Sequence, residues 1–255
     1  MVKLSSFVAL FLLSVQISFA QTSANTVNQS IEWFALNSTA KIHKNVGLYV
    51  EGQFRFAQDL QPQQHQFRTA LEIYLSKKFA IVPAGYVYTW NHKYGKQPAA
   101  FINNEHRIYQ QITYKHASGR FNVQHRLRME ERFLQSKYKA SDGGIEGTDY
   151  SDERYRLRYR GLIYIPLNNA KIEAKTWFIS VWDEVFVSWG KKVTYHKPDQ
   201  NRLFTGVGYQ FNKLVSIQGG FLYQMMKKSN GTQQENNYGG MLQLTYNLDF
   251  TKPSK

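Results

Sequence analysis

Apolar and polar positions alternate with a period of two along almost the whole chain. Val46, Leu48, Val50, Phe54 and Phe56 share one face of an extended segment, with Glu51, Gln53 and Arg55 on the other. Phe67, Leu71 and Ile73 oppose Arg68, Glu72 and Tyr74, and Ile108, Ile112 and Tyr114 oppose Glu105, Arg107 and Gln111. Further on, Val123, Leu127, Met129 and Phe133 face away from Arg126, Arg128, Glu130 and Arg132. Tyr155, Leu157, Tyr159 and Ile163 face away from Arg154, Arg156, Arg158 and Arg160. Successive side chains of a strand point to opposite faces, so each segment reads as half-buried strand and not as helix. Eleven such segments are predicted, at about 30–42, 45–58, 66–77, 79–90, 103–116, 121–135, 153–165, 170–188, 201–212, 214–227 and 237–250. Most are about twice the ~5–6 residues usual in soluble sheets, the length a tilted strand needs to cross a bilayer.

Connections are expected to alternate in length. Short ones fall near 42–45, 77–78, 117–120, 166–169 and 212–213, and long polar ones at 59–65, 91–102, 136–152, 189–200 and 228–236. Tight turns on one rim and long loops on the other are the pattern of an outer-membrane barrel, with periplasmic turns and extracellular loops. A soluble sandwich would show the same alternation, but its exposed face rarely carries four arginines at every second position. Trp33, Trp90, Trp182, Trp189 and Tyr246 stand near strand ends, as interfacial aromatic girdles require. The predicted fold is therefore all-β, an antiparallel transmembrane β-barrel of about 10–12 strands. Eleven is an odd count, whereas bacterial single-chain barrels are even. Either residues 21–29 thread the lumen or one strand is miscounted. Within 170–188, Lys171, Glu173 and Lys175 lie on the opposite parity to Ser180 and Glu184, which predicts a bulge near 177–182.

The first segment breaks the pattern. Basic Lys3, the apolar run Phe7–Val15 and the small-x-small triplet Ser18-Phe19-Ala20 make residues 1–20 a secretory signal peptide, leaving 21–255 as the barrel. Export places the protein in the cell outer membrane of a Gram-negative organism. Mean hydropathy is negative, which excludes a polytopic helical membrane protein but not a barrel. The absence of cysteine excludes disulfides, Cys-ligated metal centres and Cys nucleophiles.

Several stretches resemble one family. They are QHRLRMEERF (124–133), SVWDEVFVSWG (180–190), DQNRLFTGVGYQFN (199–212) and SIQGGFLYQMM (216–226), with IEWFALNSTAKIHKNVGLYVEGQFR (31–55) ahead of them. Their order and spacing are similar to those of the DUF2490 family, over about 31–250. The resemblance implies an outer-membrane barrel of the Bacteroidetes type and of unknown function. It carries no activity, cofactor or catalytic residue.

The chemistry of the chain lies on its polar face. Arg55, Arg68, Glu72, Glu105, Arg107, Arg126, Arg128, Glu130, Arg132, Arg154, Arg156, Arg158, Arg160, Glu184 and Arg202 are the candidate lumen network. The first reading is a structural or binding barrel whose interior charges are paired, because buried charges require partners and Arg binds carboxylates bidentately. The alternative is a small anion-preferring pore, since rings of Arg select anions, with a small anionic solute as its cargo. A lipid esterase or deacylase is the third reading. His106 and His125 lie on the lipid-facing parity, but no serine shares that face of 103–116 or 153–165. An enzyme is therefore not expected. The seven histidines show no metal-binding spacing, and no cofactor is implied. The acidic stretch 142–153 reads as a disordered external loop, with loose calcium binding as its alternative. Lys191-Lys192 and Lys227-Lys228 border long loops and are either solvated or in contact with lipopolysaccharide phosphates. Expected partners are outer-membrane lipid and lipopolysaccharide, and the barrel-assembly machinery during biogenesis. Nucleic acid is not expected, because export and strand-locked Arg argue against it despite the net charge of +14.

Overall fold

The computed structural model describes residues 25–147, 149–194, 198–228 and 231–251, so the predicted leader 1–20 lies outside the described residues. Eleven long strands form one sheet that closes on itself. They are β1 Asn25–His43, β2 Val46–Ala57, β3 Gln61–Tyr74, β4 Phe79–Asn91, β5 Glu105–Ser118 and β6 Phe121–Leu134. β7 Asp152–Pro166, β8 Thr176–Gly190, β9 Pro198–Gln210, β10 Val215–Lys227 and β11 Gln233–Tyr246 complete the wall. Neighbours in sequence are antiparallel neighbours in the sheet, and no helix occurs among the described residues. A further two-residue strand, Leu248–Asp249, extends the edge of β11 along β1.

Closure resolves the odd strand count. An antiparallel ladder reverses direction at each step, so an odd ring must contain one parallel pair. That pair is β1 with β11, in register from Asn25↔Gln233 to Asn37↔Thr245. Residues 25–29 belong to this seam and do not thread the lumen, and the long strands number eleven as counted, so the parallel pair replaces both explanations offered above for the odd number. As a consequence, the two ends of the barrel wall emerge on opposite rims.

Other expectations are corrected as well. β8 begins at Thr176, so Lys171, Glu173 and Lys175 belong to a connection and no bulge is needed at 177–182. Its register runs unbroken from Thr176 to Phe186 against β9. In the 166–169 region the turn is longer than expected. Asn168 organises it by accepting from the Trp177 amide (2.8 Å) and donating to the Lys175 carbonyl (2.9 Å). Conversely, the connection expected at 59–65 shrinks to 58–60. Gln58, Asp59 and Leu60 all take left-handed backbone angles there, which lets β3 begin at Gln61 and bring Gln64 and Gln66 beside Arg55. The acidic stretch 142–153 is not wholly irregular among the described residues, and its last two residues already belong to β7. Its Ile145–Glu146 pairs with the preceding Tyr138–Lys139 as a hairpin, and the Asp142 carboxylate accepts from the Gly144 amide (2.8 Å).

The wall is inside out relative to a soluble sheet. Leu36, Phe54, Ile112, Leu127, Phe221 and Leu242 are exposed on the outer face, while the alternate polar positions are buried within. Aromatic rings gather at both ends of the outer face. Tyr88 with Trp90 and Tyr155 with Trp189 stand near the long-loop rim, and Trp177 with Tyr209 near the other. Trp33 and Trp182 do not belong to these belts. Their parity turns them inward, where both are buried.

The seam depends on Gly239. A Cβ there would run into the backbone carbonyl of Ile31 on β1, and backbone cannot yield as a side chain tip can. Gly239→Val is expected to abolish the compact, heat-modifiable form on a mildly denaturing gel. Gly240→Val should keep it, because a Cβ at Gly240 meets nothing.

Candidate functional site

Register alone would make the interior repulsive. Across β6 and β7, Arg126 faces Arg160, Arg128 faces Arg158 and Arg132 faces Arg154, and only Glu130 meets an opposite charge, Arg156. Like charges directly opposite destabilise a sheet. Carboxylates reaching in from neighbouring strands and along diagonals relieve the repulsion.

Two of these carboxylates lie at the centre. Glu130 and Glu184 are 0% and 2% exposed. Arg156 grips Glu130 through Nε (2.8 Å) and Nη2 (2.5 Å). Arg158 donates to Glu130 through Nη1 (2.5 Å) and to Glu184 through Nε (3.1 Å) and Nη2 (2.9 Å), so one guanidinium ties β6, β7 and β8 together. Arg126 adds a bond to Glu184 (2.5 Å). On β5, Glu105 is clasped by two forks, from Arg107 (2.6 and 2.8 Å) and from Arg132 (2.5 and 3.1 Å). Arg68 pairs with Glu51 (2.5 Å), which also accepts from the Tyr49 hydroxyl. Nearer the long-loop rim, Asp152 holds Arg154 (2.7 Å) and approaches Lys192 (3.7 Å). Lys228 pairs with Glu235.

Not every candidate residue joins an ion pair. Glu72 is half-buried and accepts from the Tyr74 hydroxyl (3.2 Å). The Arg160 Nε finds no hydrogen-bond partner among the described residues. Arg128 does pair with Glu130, but only at 3.8 Å; it gives its hydrogen bonds to the Gln111 amide oxygen (2.6 and 2.9 Å) and lies over the Tyr109 ring at 4.2 Å. Arg55 is held by the amide oxygens of Gln53, Gln64 and Gln66 and lies 4.0 Å from the Trp33 ring centre. Arg202 lies 4.9 Å from Trp33 and 4.7 Å from Phe186. With the Gln200 amide oxygen turned toward it, Arg202 donates to that oxygen through Nε and Nη2 at 2.7 Å.

Sequence reasoning did not single out Asp152, Trp33 or Phe186 as members of this interior. Phe186 could have been found, because it shares the parity of Glu184. Its ring receives Arg158 and Arg202, each at 4.7 Å, and Arg156 at 5.3 Å. Aromatic faces thus hold guanidiniums where carboxylates are lacking.

Two cavities of about 200 Å³ each remain in the lumen, one toward each rim. Arg55, Arg158 and Arg202 line both, so the two cavities adjoin at these side chains. Over the long-loop end, Tyr94 from the β4–β5 loop donates to Glu235 (3.0 Å), and Lys96 and Gln97 bond Gln29 and Asn25 of β1. Burial and the neighbouring Glu235 carboxylate hold the Tyr94 hydroxyl above the usual phenol range, hence protonated. On the outer face, His106 meets the Tyr86 hydroxyl (2.6 Å) and His125 the Tyr159 hydroxyl (2.8 Å). Among the described residues no group of three or more His, Asp or Glu is placed to hold a metal ion.

The arithmetic of partners makes loss of acid costlier than loss of base. Glu130→Leu strips Arg156 of its carboxylate and Arg158 of one of two, and is expected to cost ~3–5 kcal/mol, the range for breaking a buried pair. Arg158→Leu leaves Glu130 with Arg156 and Glu184 with Arg126, so its cost should be smaller. Denaturant unfolding of the purified barrel in detergent checks the order.

The family model described as "Protein of unknown function (DUF2490)" matches residues 32–236. No curated protein and no solved structure matches the chain.

Proposed function

We propose, for a chain that belongs to the DUF2490 family, that it is an outer-membrane barrel with a closed lumen, serving a structural or binding role. The observation that carries this reading is the reversal of polarity across the wall. Large apolar side chains are exposed all round the outside, while charged ones are buried inside. A continuous exposed apolar band is tolerated where lipid covers it, and the aromatic pairs at its two edges sit where headgroups would be. The predicted leader supports export to that membrane. Lipid, lipopolysaccharide and the assembly machinery remain the partners this setting implies.

Closure is supported by the layer of Arg55, Arg158 and Arg202 beside Trp33 and Phe186. An ion crossing the barrel would have to displace guanidiniums bonded to two strands at once. The pore reading would need this layer to move. The esterase reading draws little support, because the hydroxyls bonded to His106 and His125 are phenols of tyrosine, which are poor acyl-transfer nucleophiles.

The protein is expected to sediment with outer membranes, resist carbonate extraction, and give no steady conductance in planar bilayers. Release by carbonate would overturn the membrane assignment. A steady anion-preferring current, lowered or reversed by Arg158→Glu, would establish the pore instead.

A further inference from the structure

The two cavities differ in charge. The one toward the short-turn rim is lined by Glu51, Glu72 and Glu184 as well as by arginines. Toward the long-loop rim, the described lining residues include six arginines, Arg55, Arg107, Arg132, Arg156, Arg158 and Arg202, and no carboxylate. The rest of that wall is mostly glutamine and asparagine amide, with Tyr94 near its outer end.

We propose that this chamber is a binding site for a compact multivalent oxyanion, bearing phosphoryl or carboxyl groups and admitted from the long-loop rim. The proposal deepens the closed-barrel reading and rests on it. Four of the six guanidiniums have carboxylate partners set back from the cavity. Arg107 and Arg132 share Glu105, Arg156 and Arg158 share Glu130, and Arg158 also reaches Glu184. Arg55 and Arg202 form no ion pair among the described residues, although they are only 6% and 8% exposed. Asp199 is near enough to act electrostatically on Arg132 and Arg156. Glu51 likewise acts on Arg55 from the other cavity, so six guanidiniums face five acids, of which Glu51 already pairs with Arg68, Glu184 with Arg126, and Glu130 is approached by Arg128. An uncompensated charge in such an interior is costly. An anionic ligand supplies the missing compensation.

The geometry also prepares the two free charges. Arg55 and Arg202 both lie against Trp33, at 4.0 and 4.9 Å, and amide oxygens fix their planes without neutralising them. A guanidinium held in this way presents the forked donor geometry that matches carboxylate and phosphate oxygens. Size limits the ligand. A cavity of about 200 Å³ holds the equivalent of roughly six or seven waters at ~30 Å³ each. That admits phosphate, pyrophosphate or a small tricarboxylate, and excludes oligosaccharides and nucleic acid.

The test is calorimetric titration of the purified, detergent-solubilised barrel in phosphate-free buffer with phosphate, pyrophosphate and citrate. Saturable binding of one per barrel is expected, weakened about tenfold or more by Arg202→Gln and by Arg55→Gln. Both variants should retain the compact gel form, with an unliganded unfolding midpoint equal to or above the parent's, because each removes an uncompensated charge. Arg202→Lys, which keeps the charge and loses the fork, should bind with intermediate affinity. Gln124→Ala, which lies outside this chamber, should leave binding unchanged. Preference for pyrophosphate over citrate, or the reverse, identifies the phosphoryl or carboxyl group as the one recognised. Absence of saturable binding at millimolar concentrations of all three probes overturns the proposal, as does binding that both Gln variants leave intact. A bilayer current would overturn the closed barrel by a separate measurement, so the two readings fail independently.

Discussion

Placing charge inside a closed sheet obliges every buried guanidinium to find an acceptor within reach of its own strand. In this barrel the obligation falls on few carboxylates. Glu130 and Glu184 each accept from two arginines, and Arg158 connects them. Because β6 and β7 align like charges side by side, the compensating contacts run diagonally and from the third strand. The network therefore ties β6, β7 and β8 together in the register that the backbone ladder sets. A one-residue slip would carry every arginine to the outer face.

The same alternation constrains the closure. Eleven antiparallel strands cannot close without one parallel pair, and the pair chosen joins the first strand to the last. Parallel pairing here requires close approach at Ile31 and Gly239, where no side chain fits between the strands. It also puts the start of β1 on the long-loop rim, beside Tyr94, Lys96 and Gln97 of the loop that folds over the lumen. The rim and the seam are thus one assembly, held by Gln29, Asn25 and Glu235.

What the sequence made legible was parity. Period-two alternation assigned Arg126, Arg128, Arg156 and Arg158 to one face and Leu127 and Leu157 to the other, because side-chain direction within a strand is a local property. Which carboxylate each arginine meets is not local. It depends on inter-strand register, and so Arg158 bridging Glu130 and Glu184 could not be read from spacing. Trp33 and Trp182 misled for a related reason. Proximity to a strand end suggested a girdle, but their parity sends them inward. The short 58–60 turn was hidden because Pro62 and Gln64 look like loop residues, and only their partners Phe56 and Arg55 across the sheet show them to be strand, with Gln63 skipped at a register shift between them. The leader segment, read from the sequence, lies outside the described residues.

In the proposed setting the barrel presents lipid with an apolar wall, and the closed-lumen proposal requires that its two chambers do not communicate. The separating layer is the central claim, and the absence of native cysteine allows it to be measured directly. Gln64→Cys places a thiol in the chamber toward the long loops, and Gln124→Cys places one in the other. In proteoliposomes of known orientation, a charged, membrane-impermeant thiol reagent added on the long-loop side should label Gln64→Cys and leave Gln124→Cys unmodified until it is added on the opposite side. Labelling of both from one side at similar rates would show a continuous lumen and contradict the account.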